Sequence, residues 1–420
     1  VTHGRTLDNL TSTPKREAPE SLSSHWKRSK VTGKGVAMLD RIAYLFDEDL
    51  CKDSERVGFL QVRLVAPKQR KVESRKPPKK KDGDKNLRFA DCGPDTQAGL
   101  KKSRVTEWQK WKKFNAGVIL TKVELQELID EGVKVNPMQW IETDKNAHKR
   151  RDGKHVEALL KSRLVGCGNF EDADGLRTHS PTGDVDAHNL VFPWCASHKV
   201  KIKSADITSA YLQGKEVDRI ILYRIPKGGI PSEGIQEGDV IAARVPIYGT
   251  KDAGRGFWLR LKEVVLSQGY TLNKIMPTLF SLRDASGKII SVMASNVDDL
   301  LYGCKPEAEP AMQASLDAFN VRVQEVGTFR FCGKEVKQAD DFSITVTAKD
   351  NTEKIRPIDI GVQRKLTDKC NAEETTSLRS VVAALAWVAR KVRPDISFRV
   401  SKLQTVAGKG HIKDMREANK

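Results

Sequence analysis

Asp298 and Asp299 stand side by side in the stretch IISVMASNVDDLLYG (Ile289–Gly303), with Ile289, Ile290, Val292 and Met293 leading in and Leu300 and Leu301 leading out. The β-branched and apolar flanks favour strands, which leaves two carboxylates at the turn between them. Charges beside a hydrophobic sheet must be solvated or bind a cation. A third carboxylate, Asp206, lies upstream in KIKSADITSAYLQG (Lys201–Gly214), also at the end of a short β-like run. Hard divalent cations choose oxygen ligands, so carboxylates from two strand ends compose a magnesium-type site. Two such ions clamp the attacking and leaving oxygens of an in-line phosphoryl transfer. A bare Asp-Asp doublet is a weak signal, since Asp340–Asp341 and Asp47–Glu48–Asp49 are acidic runs too. A lesser alternative is that Asp206 caps the helix-favouring segment that follows it, a role compatible with metal binding.

The elements that must position these groups sit in a chain of 420 residues, enough for two or three domains. Hydrophobic residues make up 39%, sufficient for real cores, while 30% charged residues imply much solvated surface. A net charge of +18 points to a polyanionic partner, whose phosphates attract a basic surface without sequence preference. Seven cysteines, odd in number and without a C-x-x-C pair, fit a reducing intracellular compartment. Cys195 and His198 are spaced C-x-x-H with His188 nearby, but four zinc ligands do not assemble. No apolar run approaches the ~18–20 residues that span a bilayer, and no secretory signal opens the chain. Starting at Val1, it reads as a piece of something longer.

Residues 1–86 read as a basic, largely disordered extension. Within it, Met38–Phe46 suggests a helix and Val57–Val65 a strand. Lys68–Lys85 carries nine Lys/Arg against three acids, suited to a linker, a nucleic-acid arm or an import signal. Order is expected from about Leu87. In Lys102–Ala116, Val105, Trp108, Trp111 and Phe114 fall at near-helical spacing and read as a packing stripe. Val123–Glu131 reads as a second helix and Val135–Thr143 as a strand. Short β-like runs then alternate with helices to about Val336, an α+β pattern. Thr376–Val392 is the clearest amphipathic helix, with Leu378, Val381, Val382, Leu385 and Val388 on one face.

Seven blocks in a fixed order resemble the reverse transcriptase of copia-type retrotransposon Pol polyproteins. They are KSRLVGCG (Lys161–Gly168), THSPTGDVDAHNLVFPWCA (Thr178–Ala196), ADITSAYLQG (Ala205–Gly214), VPIYGTKDAGRGFW (Val245–Trp258), NVDDLL (Asn296–Leu301), FRFCGKEV (Phe329–Val336) and LRSVVAALAWVARKVRPDI (Leu378–Ile396). The resemblance implies an α+β right-hand polymerase whose palm sheet is mixed or antiparallel and flanked by helices. Residues 87–155 would lead into the fingers, 156–336 form fingers and palm, and 337–420 form thumb and connection. On this reading a ribonuclease H domain would have no counterpart within residues 1–420.

The resemblance also implies roles. Asp206, Asp298 and Asp299 match the palm carboxylates: Asp206 and Asp298 would bind two Mg2+ ions, Asp299 would support them, and the Ile207 carbonyl would be an extra ligand. Lys161 and Arg163 would clamp the triphosphate. Tyr211 would lie beneath the incoming sugar and reject a ribose 2′-hydroxyl. Tyr248, Gly249 and Lys251 would pack under the nascent base pair. Phe329, Phe331 and Gly333 would belong to the hairpin that grips the primer. Arg393 and Asp395 would form a structural ion pair. Asn296, Cys167 and Gln324 depart from the family's usual tyrosine, arginine and lysine. The expected function is RNA-directed DNA polymerisation on a primed RNA or DNA template with dNTPs, in a cytoplasmic particle or the nucleus and without membrane attachment. The alternative is a catalytically silent, nucleic-acid-binding remnant.

Overall fold

The computed structural model describes residues 86–150, 156–172 and 174–420. The helix read at Met38–Phe46, the strand at Val57–Val65 and the basic run Lys68–Lys85 lie outside the described residues.

The first sheet has six strands: β1 (Asn86–Leu87), β2 (Gly117–Ile119), β3 (Val135–Asp144), β4 (Leu160–Gly166), β6 (Ile221–Arg224) and β7 (Val240–Ala243). β3 is shared along its length, with Val135–Pro137 parallel to β6 and Met138–Asp144 antiparallel to β4. Helix α1 (Pro94–Lys113) covers this sheet. Its predicted aromatic stripe is packing surface: Trp108 and Trp111 are buried in a core with Met138, Leu164 and Tyr223, and Val105 and Phe114 pack against it. Helix α2 (Lys122–Asp130) opens on a capping box in which Thr121 and Glu124 exchange hydrogen bonds.

The central sheet is antiparallel, in the order β12 (Val321–Val326), β5 (Ile202–Ile207), β11 (Asp299–Cys304), β10 (Ile289–Asn296), β9 (Leu279–Arg283), β8 (Thr271–Leu272). The run IISVMAS shows no polar alternation because both faces of β10 are covered. On one face α4 (Ala253–Ser267) and α5 (Glu309–Asp317) bring Phe257, Leu261, Val265, Met312 and Leu316 against Ala205, Ile207, Met293, Leu300 and Tyr302. On the other, α3 (Val185–Ser197) and a three-stranded sheet of β13 (Thr328–Phe331), β14 (Lys334–Gln338) and β15 (Ile344–Thr347) pack on Ile202, Val292, Ala294 and Leu301.

The C-terminal helices α6 (Ala372–Lys391), α7 (Ser397–Val406) and α8 (Ile412–Ala418) close a separate core around Leu378, Val382, Leu403 and Met415. α6 begins on a capping box between Asn371 and Glu374. Arg393 and Asp395 pair as predicted, with Nε donating to Oδ1 at 2.8 Å, on an exposed turn. The α+β expectation, with mixed and antiparallel sheets, holds. No helix among the described residues is long and apolar enough to cross a membrane.

Candidate active site: a carboxylate row at the end of the central sheet

Asp206 and Asp299 are direct partners in the antiparallel register of β5 and β11, and Asn296 is opposite Asp299 in β10. Opposed residues project to one face with Cβ atoms about 5 Å apart, so Asn296, Asp299 and Asp206 form a row. Alternation places the row on the face of Ile202, Ala294 and Leu301, which α3 and the three-stranded sheet cover. The Asp206 side chain caps no helix, since Ser209, in left-handed conformation, precedes the short turn Ala210–Gln213.

The turn joining β10 to β11 carries Val297 at φ +59°, a conformation that costs a β-branched residue about 1–3 kcal/mol. Two contacts hold it there. The Val297 side chain packs on the core beneath α4, and the Ile207 N–H donates to the Asp298 carbonyl at 2.9 Å. The strained turn is thereby fixed against β5, bringing Asp298 next to the other two carboxylates. Burial and the neighbouring Asp206 charge raise the Asp298 carboxyl above its ordinary range. Asp299 is pushed up to about 6 by burial first, then by Asp298 and Asp206.

Arg322 pairs with Asp206 through its guanidinium. It is the extra residue of a β-bulge: Val321 faces Ile207 and Val323 faces Asp206, with Arg322 between them unpaired in the ladder. Gln324 pairs instead with Ala205, one step along the strand. A bulge leaves no reliable mark on a six-residue strand pattern, so the sequence carries no sign of the Arg322 placement.

Lys161 and Arg163 alternate with the buried Ser162 and Leu164 along β4 and share its other face. The Arg163 guanidinium lies 5.1 Å from the centre of the Tyr248 ring, and the Tyr248 and Tyr211 rings are 5.2 Å apart. Lys161 is pressed down to about 8 by partial burial and by Arg163, Lys145 and Lys110. Both cations in turn counter the rise of Asp298. Burial raises the Tyr211 hydroxyl, and the Asp298 charge raises it further. Burial likewise pushes Tyr248 up to about 12, with Glu107 adding to it. One electrostatic unit thus joins Asp298, Lys161, Arg163, Tyr211 and Tyr248.

Other predicted residues are placed differently. Gly249 has φ +91°, and a Cβ there would fall 2.0 Å from the Gly166 carbonyl oxygen, so the close approach it permits is to β4. Lys251 donates from Nζ to the Glu171 carbonyl at 2.8 Å. Glu171 also takes Arg219 at 2.7 Å, and Arg219 holds Asp252 at 2.6 Å. Phe329 and Phe331 are buried in the core under α3. Gly333 occupies the β13–β14 turn at φ +79°, against Trp387. The adjoining Cys332 thiol is pushed up to about 11, by burial first and then by the Asp299 charge, so this turn lies near the carboxylates. Next to it, Lys334 is buried without a hydrogen-bond partner, its ammonium 4.8 Å from the Phe192 ring centre.

Among the described residues no three His, Cys, Asp or Glu side chains are gathered closely enough to hold a metal ion. Cys195 and His188 are buried in the same apolar core, and His198 stacks on Trp194. The donor chemistry of the row nevertheless suits a hard divalent cation. Asp206, Asp298 and Asp299 are all-oxygen donors, and Asp298 and Asp299 resist ionisation because of burial first and then the neighbouring carboxylate charges.

Residues 125–355 match the reverse transcriptase (RNA-dependent DNA polymerase) family, and the chain belongs to it. It is similar to two Arabidopsis thaliana proteins, the retrovirus-related Pol polyproteins from transposons RE2 and RE1. The identities are 27% and 26% over 263 residues, 58% of this chain and 17% of each relative. The chain therefore spans a small part of the curated relatives it matches. The resemblance to the reverse-transcriptase region of copia-type Pol polyproteins stands.

Proposed function

We propose that this chain is an RNA-directed DNA polymerase that extends a primer 3′-hydroxyl with dNTPs on an RNA or DNA template. The observation that carries the reading is the facing pair Asp206 and Asp299, with Asp298 tied to Ile207 beside them. Like charges directly opposite in a sheet are destabilising, and a cation site gives that arrangement a purpose. Two Mg2+ ions held by Asp206 and Asp298 would activate the 3′-hydroxyl and neutralise the triphosphate.

The chain's own residues supply the rest. Lys161 and Arg163 face Asp298 electrostatically, where cations offset the charge that builds on a leaving pyrophosphate. The half-buried Tyr211 ring, backed by Tyr248, offers a flat floor for a deoxyribose. Lys251 anchors the loop carrying Tyr248 by holding Glu171. The β13–β14 turn, near the carboxylates, fits a primer grip made by its backbone, with Phe329 and Phe331 seating the hairpin from below. In this reading the first sheet is the fingers, the central sheet the palm and the C-terminal helices the thumb, which would track the duplex through its phosphates.

The silent-remnant reading draws on the Arg322–Asp206 pair, which already satisfies one carboxylate with a side-chain cation. Primer extension on an RNA template with Mg2+ and dNTPs, comparing the chain with Asp298→Ala, separates the two. Extension by the parent alone supports the polymerase. Equal primer–template binding by both proteins with no extension by either sinks it.

A further inference from the structure

Asp206 is held by Arg322 from an edge strand, and that pair bears directly on the metal reading above, on which this inference rests. Arg322 is placed by a β-bulge, the irregularity that turns a side chain toward a neighbouring site. Its side chain is 61% exposed while that of Asp206 is 31% exposed, so the guanidinium reaches inward from solvent to a half-buried acid. β12 pairs only with β5 in the central sheet, and most of its residues are exposed. A groove beside the bulge is lined by Asp317, Asn320, Arg322 and Gln324. Asp317, exposed and accepting from Gln313 Nε2 at 2.7 Å, is the carboxylate that shares this groove with Arg322.

We infer that Arg322 is a displaceable counter-cation for Asp206, holding that carboxylate in the metal-free protein and swinging toward the Asp317 groove when a divalent cation binds. The physical reason is competition for one carboxylate. The guanidinium engages one Asp206 oxygen, and its positive charge beside the row opposes a divalent cation there, so binding is favoured when the arginine moves away. An exposed ion pair is weak, so the obstacle is modest and reversible. Arg322 is therefore a positioning residue: it keeps three crowded acids compatible with a folded sheet until the metal arrives, and it lowers metal affinity in doing so.

The test is Mn2+ binding to the full chain without nucleic acid, followed by electron paramagnetic resonance of the free ion. The proteins compared are the parent, Arg322→Gln, Arg322→Lys, Asp206→Asn and the double variant Arg322→Gln/Asp206→Asn. Arg322→Gln is expected to bind Mn2+ about two- to fivefold more tightly than the parent, the size of an exposed ion pair. Arg322→Lys, a point charge without the planar fork, should fall between them. In the Asp206→Asn background the Arg322 substitution should change nothing. Unchanged or weaker Mn2+ binding by Arg322→Gln, with Asp206→Asn still weakening it, overturns the counter-cation role and leaves the metal site standing. Mn2+ binding indifferent to Asp206→Asn removes the metal site and this inference together.

Discussion

Asp206 and Asp299 face one another across β5 and β11, two carboxylates in direct antiparallel register on a hydrophobic sheet. The strand ends are spent on charge where packing alone would place an apolar or hydroxyl pair. Asp299 bears most of the cost, its carboxyl pushed up to about 6 by burial and by its two acidic neighbours.

Asp299→Asn should therefore stabilise the metal-free protein, and the pH dependence follows from the direction of the shift. Below the ordinary value of 3.8 the group is neutral in both states and contributes nothing. Between that value and about 6 the folded state holds the extra proton, so parental stability falls as pH rises. Above about 6 the penalty is complete. Urea unfolding in chelator at pH 7.5 should show a gain of about 1–2 kcal/mol for the variant. The gain should vanish near pH 4. A destabilised variant at pH 7.5 would mean that the Asp299 carboxylate is held by attraction rather than crowding.

Lys161 gives the opposite kind of pH signal. With its ammonium pressed down to about 8, it loses charge just above neutrality. If it clamps the triphosphate, KM for dNTP should climb several-fold between pH 7.5 and 9. Lys161→Arg, which stays protonated, should flatten that climb. A parental KM that is level across this range would exclude Lys161 from triphosphate binding.

How much of this was legible depended on whether chemistry or backbone geometry carried the information. Asp206, Asp298 and Asp299 were visible because charges at the ends of apolar runs conflict with packing, and the register then brought two of them face to face. The Trp108–Trp111 stripe and the α6 face were visible through helical period. Arg322 was not, because its placement depends on a one-residue bulge that period-2 reasoning cannot register. The contact that requires a glycine at Gly249, with the Gly166 carbonyl, is tertiary and leaves no local pattern in the sequence. Phe329 and Phe331 carry a motif whose rings turn inward, so only the turn at Cys332 and Gly333 comes near the acids.

Gly249 tolerates no side chain. Its φ of +91° disfavours any L residue, and a Cβ would meet the Gly166 oxygen at 2.0 Å, backbone that cannot step aside alone. Gly249→Ala should lower stability by about 2–4 kcal/mol in denaturant titration. A loss under about 0.5 kcal/mol would show that the β4 contact yields easily.

Lys334 is buried against Phe192 with no acceptor for its ammonium, and burial and Lys391 press it down to about 8. Below about 8 the amine is charged in both states and the folded protein carries the whole desolvation penalty. Between about 8 and 10.5 the unfolded chain binds the extra proton, so parental stability rises with pH. Lys334→Met keeps the stem and removes the charge, and should gain about 1–2 kcal/mol at pH 7. The advantage should shrink toward pH 10. A loss at pH 7 would reveal an anionic partner for Lys334.

Tyr211 is the residue through which sugar choice is best tested, because its ring is half-buried, braced by Tyr248 at 5.2 Å, and close enough to Asp298 for that charge to raise its hydroxyl. A braced aromatic plane is rigid, and a rigid plane discriminates by exclusion. If it forms the floor under the sugar, Tyr211→Ala should open room for a 2′-hydroxyl and raise ribonucleotide incorporation relative to deoxynucleotide by about 10- to 100-fold. Tyr211→Phe keeps the plane and should retain discrimination, which separates the ring's shape from its hydroxyl. The measurement is the ratio of kcat/KM for dCTP and CTP in single-nucleotide extension. Selectivity unchanged by Tyr211→Ala, with polymerisation intact, would assign sugar choice to another side chain and leave Tyr211 as support for Tyr248.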